Sequence, residues 1–227
     1  MLRLRTKTLE LLTGEGLLDA IDMSLQLDQT RGRSTSPSRP GEGFVRVRTL
    51  QQVLSDGGSA YQVKWLSDAP TYKLERRVDP TTQAAYEVAT DDAEKVGRKH
   101  ASDRLREAWH AAYGRDPDPS VAYLRAVKAV EAAAIPVISP TDMTATLGKI
   151  NGQLKARPEA WSFVIEHKHK TLIEPVITMM DTLWTGQTDR HEGNEPATPI
   201  SRETAEAAVH LAVTLVDWFS TGKIAPA

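Results

Sequence analysis

Residues 201–219 read Ser201-Arg-Glu-Thr-Ala-Glu-Ala-Ala-Val-His-Leu-Ala-Val-Thr-Leu-Val-Asp-Trp-Phe219 and carry the clearest fold signal in the chain. Apolar side chains recur along it every three or four positions, at Ala205, Ala208, Val209, Ala212, Val213, Val216 and Phe219. This period is typical of an amphipathic helix with one face in a core. Because Ser201 is a favoured N-cap and Gly222 a favoured stop, the sequence predicts a buried helix between them.

Helical patterns also fill the sequence upstream of this helix. The stretch Pro80–Tyr113 fits one long helix or two, and the helix opened by Asp118-Pro119 has an apolar stripe that ends before Pro136. Further helices are predicted after Ser139-Pro140 with Leu147, Ile150 and Leu154, from Pro158 with Trp161, Val164 and Ile165, and around residues 171–185. We therefore expect a mainly α fold, with a C-terminal bundle of five or six helices over residues 79–227.

The N-terminal part predicts a small α+β segment. Residues 1–28 are predicted to form an N-terminal helical segment, as one helix or a pair of short helices. Residues 29–43 are predicted to form a flexible Gly/Ser/Pro/Arg loop, because they contain no apolar side chains. An exposed loop is favoured there over a nucleic-acid-binding arm. Residues 44–78 predict a small β-rich segment, because β-forming residues alternate in the stretches Phe44–Arg48, Ala60–Leu66 and Tyr72–Val78. The last two stretches predict a short hairpin in a sheet of two or three strands, with an irregular segment over a helical core as the alternative.

Composition excludes several classes of protein. The 227 residues contain no cysteine, which excludes disulfide scaffolds, Cys-ligated zinc, iron–sulfur clusters and thiol nucleophiles. The net charge of −2 argues against coating nucleic acid by bulk electrostatics, although a local basic site is compatible with it. The sequence has neither an apolar signal core nor a run of roughly 20 apolar residues. We expect a cytoplasmic protein with no membrane partner.

The polar connection Gly186–Pro199 is the main candidate site, because it is long for a loop between two apolar helices. It concentrates Asp189, Arg190, His191, Glu192 and Asn194 and leads to the helix start at Ser201. Free backbone N–H groups at that start favour a bound anion such as phosphate. An arginine can donate hydrogen bonds to two phosphate oxygens at once, and a histidine can accept or donate a proton near neutral pH. The alternative, in which Arg190 pairs with an acid and His191 only holds the loop, stays open.

Other candidate sites are weaker. The two histidines of Glu166-His-Lys-His-Lys170 point the same way only on a strand, and the lysines oppose a cation, so we favour a solvated connector over a metal site. Glu131 has Lys128 one helical turn before it, which predicts a surface ion pair. The sequence contains no dinucleotide fingerprint, phosphate loop, nucleophile elbow or zinc-peptidase motif. We predict no cofactor and no metal.

The loop Arg190-His-Glu-Gly193 followed by the helix Ser201–Phe219 resembles the C-terminal domain of bacterial abortive-infection proteins. In that family a loop with an Arg and a His-Gly pair precedes a terminal helix rich in Ala, Leu and Val. The stretches Leu105–Trp109, Pro119–Glu131 and Ala145–Gly148 are similar to the helix order of the family. They are similar, more loosely, to HEPN helical bundles, many of which are ribonucleases of defence and toxin systems. The likeness spans roughly residues 95–222.

The resemblance implies a phage-defence or toxin-like effector that cleaves RNA without a metal. The ribose 2′-OH would attack the adjacent phosphorus, His191 would move the proton, and Arg190 would stabilise charge on the phosphoryl oxygens. Asp189, Asn194 and Ser201 would contact the substrate. The resemblance also implies a homodimer with the site at its interface.

The sequence departs from the HEPN pattern, because Arg190 and His191 are adjacent where catalytic HEPN domains separate the pair. In addition, Gly193 follows after Glu192 instead of directly after His191. The alternative is therefore a non-catalytic helical interaction or regulatory protein that dimerises or binds a protein partner. A third interpretation is phosphate or nucleotide binding at the start of the last helix, without hydrolysis.

Overall fold

The chain is mainly helical, as the sequence predicts. A computed structural model describes residues 14–30, 42–66, 71–165, 173–188 and 199–227. These residues contain eight α-helices and two small antiparallel sheets. They form two compact units, an N-terminal unit that runs to Arg77 and includes Tyr113–Asp116, and a helical unit of Val78–Ala112 and Pro117–Ala227.

The described residues of the N-terminal unit form two helices and a hairpin. Its elements are α1 (Glu15–Thr30), α2 (Glu42–Asp56), β1 (Tyr61–Leu66) and β2 (Thr71–Arg76). The predicted hairpin is confirmed, with Tyr61 opposite Arg76 and Leu66 opposite Thr71. The two helices also take in the ends of the predicted loop 29–43, whose remaining residues lie outside the described part.

The predicted strand at Phe44–Arg48 is wrong, because this stretch belongs to α2. The alternation there is only four residues long. Val47, Leu50 and Leu54 lie three or four residues apart, and α2 buries Val47 and Leu54 in the unit's core with Leu50 packed against it. The helical period over the longer stretch therefore prevails over the short alternation.

Side chains from the two helices cover the outer edges of the hairpin. The backbone N–H of Leu74 donates to Asp22 Oδ1 of α1 at 2.7 Å, and that of Val63 donates to Gln51 Oε1 of α2 at 2.6 Å. Val63 and Leu74 face each other in the register, and because both N–H groups donate to helix side chains, they form a non-hydrogen-bonded pair whose N–H groups point away from the partner strand. The helices thus supply acceptors that further strands would otherwise provide.

The helical unit contains the predicted bundle. Its helices are α3 (Pro80–Lys95), α4 (Lys99–Tyr113, the last residue belonging to the N-terminal unit), α5 (Pro119–Ile138), α6 (Leu147–Ala156), α7 (Glu174–Thr185) and α8 (Arg202–Ser220). A short 3₁₀ turn (Pro158–Ala160) precedes β3 (Trp161–Phe163), which pairs with β4 (Ile224–Pro226). The described residues give six helices, in agreement with the prediction of five or six.

Helix α8 lies in the centre of this unit and packs against α3 and α5. The facing helices are rich in small residues that are fully or almost fully buried, among them Ala126, Ala129 and Ala133 of α5 and Ala205, Ala208 and Ala212 of α8. Small side chains allow two helix axes to approach closely. None of the helices within the described ranges is long and apolar enough to cross a bilayer.

Local signals set most helix boundaries. The carboxylate of Asp118 accepts the N–H of Val121 at 3.0 Å, which confirms the predicted cap of α5. Gly97, with φ of +80°, separates α3 from α4, so the stretch Pro80–Tyr113 forms two helices. This left-handed conformation is one that glycine adopts readily.

Two predicted boundaries in the helical unit are wrong. Helix α5 continues through Pro136 to Ile138, because Ile135 and Ile138 are buried in the core while the proline ring faces outward. The helix predicted from Pro158 is instead the 3₁₀ turn and β3. Phe163 pairs there with Ile224, some sixty residues later in the chain, so no local pattern could reveal the strand.

Candidate functional site

The predicted catalytic pair Arg190 and His191 lies outside the described residues, as do Asp189 and Asn194. Their roles stay predictions from the sequence. Of the predicted site residues, the structure describes Ser201.

Ser201 is the N-cap of α8, as predicted. Its Oγ accepts the N–H of Thr204 at 3.2 Å. The pKa of Glu203 is lowered because its carboxylate accepts its own backbone N–H and the Ser201 hydroxyl. The helix start thus already holds a carboxylate, which competes with any external anion there.

The described residues on either side of the segment 189–198 make specific contacts with the bundle. The Tyr123 hydroxyl of α5 donates to the carbonyl of Leu183 at 3.0 Å, near the end of α7. A Cβ on Gly186 would lie 2.5 Å from that hydroxyl oxygen, so glycine is required there. Gln187 and Ile200 are both buried. The bundle therefore fixes the positions of the described residues that precede and follow the segment 189–198.

One cavity among the described residues lies between the start of α4 and one face of α5. Its volume is about 450 Å³. The first side is formed by Gly97, Arg98, Lys99, His100, Ala101 and Arg104. The second side is formed by Lys128, Glu131, Ala132, Ile135 and Pro136 of α5, together with Met143. We call this cavity the α4 pocket.

Helical geometry explains why these residues meet. The α5 residues that line the pocket are spaced by one, three or four positions and therefore share one helix face. On that face the apolar Ala132 and Ile135 follow the charged Lys128 and Glu131. Ligand sites commonly combine an apolar lining with a few polar groups in a cavity of this size.

Arg98 joins the pocket to the end of α8. Its guanidinium is partly buried and donates a hydrogen bond to the carbonyl of Phe219. Burial lowers the pKa of Arg98, since a charged group loses hydration there. Part of its role is therefore to hold α8 in place.

The other three basic residues with permanent charge face carboxylates. Lys99 pairs with Asp103 at 3.0 Å, Arg104 with Glu107 at 2.7 Å, and Lys128 with Glu131 at 2.7 Å. These pairs orient the cations and reduce the field that a ligand meets. The α4 pocket therefore combines an apolar lining with basic side chains that are held in ion pairs.

Glu131 is 5% exposed, so its predicted position on the surface is wrong, while its predicted pairing with Lys128 is present. Its Oε2 accepts from Lys128, and its Oε1 accepts the backbone N–H of Leu147 at 2.8 Å. It thereby satisfies one of the free N–H groups at the start of α6, where Thr146 also caps the helix. The partner is a backbone group, which no sequence motif reveals.

The described residues contain no group of three His, Asp or Glu side chains that could hold a metal ion. The histidines of the stretch 166–170 lie outside the described part. Comparisons with protein-family models, with curated proteins and with solved structures find no match to this chain.

Proposed function

We propose that this protein is an RNA-directed effector of the phage-defence or toxin-like kind, and that its helical unit holds a phosphate-bearing segment of RNA in the α4 pocket. The observation that supports the proposal is a cavity of about 450 Å³ with four permanent cations in its lining, namely Arg98, Lys99, Arg104 and Lys128. Arg and Lys side chains are the usual contacts of RNA phosphates. The apolar Ala132 and Ile135 suit the face of a base or ribose.

The proposed reaction is metal-independent cleavage by the loop residues Arg190 and His191, on the basis of the resemblance to abortive-infection and HEPN bundles. The 2′-oxygen attacks the adjacent phosphorus as His191 accepts its proton, the bond from phosphorus to the 5′-oxygen breaks, and the protonated His191 returns the proton to the leaving 5′-oxygen. Arg190 stabilises the charge on the phosphoryl oxygens. The products are a 2′,3′-cyclic phosphate and a 5′-hydroxyl end.

RNA binding by matched charge variants tests the pocket. We expect Lys99→Ala/Arg104→Ala to weaken the binding of a fluorescent single-stranded RNA by at least about tenfold, because two charged contacts are lost. Lys95→Ala/Lys155→Ala is the control, since these lysines also pair with carboxylates but lie outside the pocket. Equal losses in both double variants, or no RNA binding by the wild-type chain, would refute the proposal.

Cleavage is tested separately with Arg190→Ala/His191→Ala. We expect this variant to bind RNA and to leave it intact in a metal-free buffer, where the wild-type protein cleaves it. Cleavage by both proteins, or by neither, removes the ribonuclease part of the proposal and leaves RNA binding to be judged on its own.

The ion pairs of the pocket favour a second candidate function, a non-catalytic helical protein that dimerises or binds a protein partner. Each of the three paired cations already has a carboxylate at 3.0 Å or less, which reduces its attraction for RNA. This function predicts a concentration-dependent dimer in sedimentation experiments and no RNA binding. A monomer that binds RNA contradicts it.

A further inference from the structure

Basic side chains continue beyond the α4 pocket, along the groove between α4 and α5. Arg104 lines the pocket and donates to Glu107 Oε1 at 2.7 Å. Oε2 of the same carboxylate accepts from Arg125 Nε of α5 at 2.9 Å. Arg125 does not line the pocket, but its guanidinium is bound to the same carboxylate as that of Arg104. The two guanidinium groups are therefore neighbours.

The groove leads from the pocket toward the start of α5. The pocket-lining residues of α4 precede Glu107 in the chain, and those of α5 follow Arg125. Because Glu107 pairs with Arg125, the two helices run in opposite directions along the groove. The distance along α5 from Arg125 to Pro136 is about 16 Å, at about 1.5 Å per residue. This length exceeds one nucleotide, since a strand of stacked nucleic acid carries a phosphate about every 3.4 Å.

The cluster of Arg104, Glu107 and Arg125 keeps a positive charge, because one carboxylate serves two guanidinium groups. The side chains of Arg104 and Arg125 are 39% and 36% exposed, so a ligand can reach both. A guanidinium has five N–H donors, and a contact with Glu107 through Nε leaves donors of Arg125 for a phosphate. The shared carboxylate also holds the two guanidinium groups in a defined arrangement.

Apolar side chains flank Arg125 on the same face of α5. Val121 and Leu124 are 39% and 38% exposed. With Arg125 and Lys128 they occupy positions i, i+3, i+4 and i+7, which share one side of a helix. The face thus passes from two apolar residues to two basic ones and then to the apolar lining of the α4 pocket. A single nucleic-acid strand has the matching chemistry, with charged phosphates between apolar base faces.

We propose that Arg125 is a second phosphate contact, so that the groove between α4 and α5 binds two successive phosphates of a single-stranded RNA. One phosphate occupies the α4 pocket, and the next lies against Arg125, beside Arg104. This inference rests on the proposed function and deepens it, because it sets the ligand as an RNA segment of at least three nucleotides. A purely structural role for Arg125, joining α5 to α4 through Glu107, is what the experiment must separate from it.

The test compares an adenosine dimer with one phosphodiester and an adenosine trimer with two, by isothermal titration calorimetry. Both ligands are 2′-O-methylated, so they lack the hydroxyl that the proposed cleavage requires. We expect the wild-type protein to bind the trimer at least about tenfold more tightly than the dimer. In Arg125→Ala we expect the trimer to bind no more than about threefold better than the dimer, while the affinity for the dimer changes by less than about threefold.

Lys155→Ala is the matched control. Lys155 of α6 pairs with Asp181 of α7 at 2.7 Å and is 49% exposed, so its loss also removes a partly exposed ion pair between two helices. It does not line the α4 pocket. We expect this variant to keep the tenfold difference between trimer and dimer.

Arg125→Gln provides a second variant in case Arg125→Ala does not fold. Its amide can still donate to Glu107, so a structural contact survives while the charge is lost. We expect the difference between trimer and dimer to fall below about threefold in this variant as well. A difference that stays at tenfold in Arg125→Gln contradicts the proposal.

Two further results overturn this inference and leave the proposed function standing. One is a wild-type protein that binds RNA but has equal affinities for dimer and trimer. The other is an Arg125→Ala variant that loses affinity for both ligands by the same factor, because that loss shows a structural effect on the pocket. A wild-type protein that binds no RNA refutes the proposed function first, and the inference with it.

Discussion

Two buried carboxylates, one in each unit, perform the same structural task in different surroundings. Asp22 is 8% exposed and accepts the backbone N–H of Leu74 at the edge of the hairpin. Glu131 is 5% exposed and accepts the backbone N–H of Leu147 at the start of α6. The second partner of Asp22 is the neutral amide of Gln26, whereas that of Glu131 is the ammonium of Lys128.

This difference separates a structural carboxylate from one that also belongs to a site. A carboxylate that is bonded only to neutral groups satisfies its neighbours and stabilises the fold. A carboxylate that pairs with a cation in the wall of a cavity also determines the charge that a ligand meets. Stability and ligand binding should therefore respond differently to substitutions at the two positions.

Asp22→Ala should give the larger loss of stability. It removes two hydrogen bonds and leaves the buried N–H of Leu74 without an acceptor, so we expect the free energy of unfolding to fall by about 3 kcal/mol. Urea denaturation measures this free energy. The control Asp56→Ala removes an exposed carboxylate of α2 that accepts a hydrogen bond from Gln52 of the same helix α2. This change should lower the free energy of unfolding by less than about 0.5 kcal/mol. Similar effects of the two changes would show that Asp22 is not structural.

Glu131→Ala should cost less, about 2 kcal/mol, although it is the more deeply buried carboxylate. The start of α6 keeps its second cap, because Thr146 Oγ1 still accepts the N–H of Lys149. The lost ion pair adds little, since the side chain of Lys128 is 45% exposed. Urea denaturation of both variants side by side checks the order. A larger loss for Glu131→Ala than for Asp22→Ala would mean that the ion pair contributes more than its exposure indicates.

The sequence predicts the parts of this molecule that depend on neighbours along the chain. The caps Asp118 and Ser201 accept N–H groups three residues later in the chain. The apolar side chains of α8 recur every three or four positions, which is also a pattern between near neighbours. The pairing of Phe163 with Ile224 joins distant segments, and so its strands cannot be predicted from a local pattern.

The same reasoning explains what the sequence reveals of the site. Glu131 could be paired with Lys128 because the two are one helical turn apart. Its second partner, Leu147, lies sixteen positions later and on another helix. Only the packing of the two helices brings Glu131 and Leu147 together. The α4 pocket likewise combines the start of one helix with a face of the next, and no single motif encodes it.

A third carboxylate, Glu203, extends the comparison to the surface. It lies exposed in the first turn of α8, where hydrogen bonds from its own backbone N–H and from the Ser201 hydroxyl lower its pKa. Because the folded pKa is depressed, its contribution to stability is present above the ordinary pKa of a glutamate and is lost as the pH falls through the lowered value.

Ser201→Ala should remove the cap and destabilise the protein by about 1 kcal/mol. It should also return the pKa of Glu203 toward its ordinary value. Thermal unfolding measures the first effect, and an NMR titration of the Glu203 carboxyl measures the second. A pKa that stays low in the variant would show that the helix backbone alone produces the shift.

Lys99→Ala should have the smallest effect on stability and a clear effect on binding. Lys99 pairs with Asp103, but its side chain is 68% exposed, so the change in the free energy of unfolding should stay below about 0.5 kcal/mol. If Lys99 contacts a phosphate, its loss also lowers the slope of log affinity against log salt by about 0.7 for single-stranded RNA. RNA titrations over a range of salt concentrations measure this slope, with Lys95→Ala as the control that leaves it unchanged. A slope that does not change in Lys99→Ala would show that Lys99 contacts no RNA phosphate, because a lysine contributes to the slope only where it displaces a cation condensed on a phosphate.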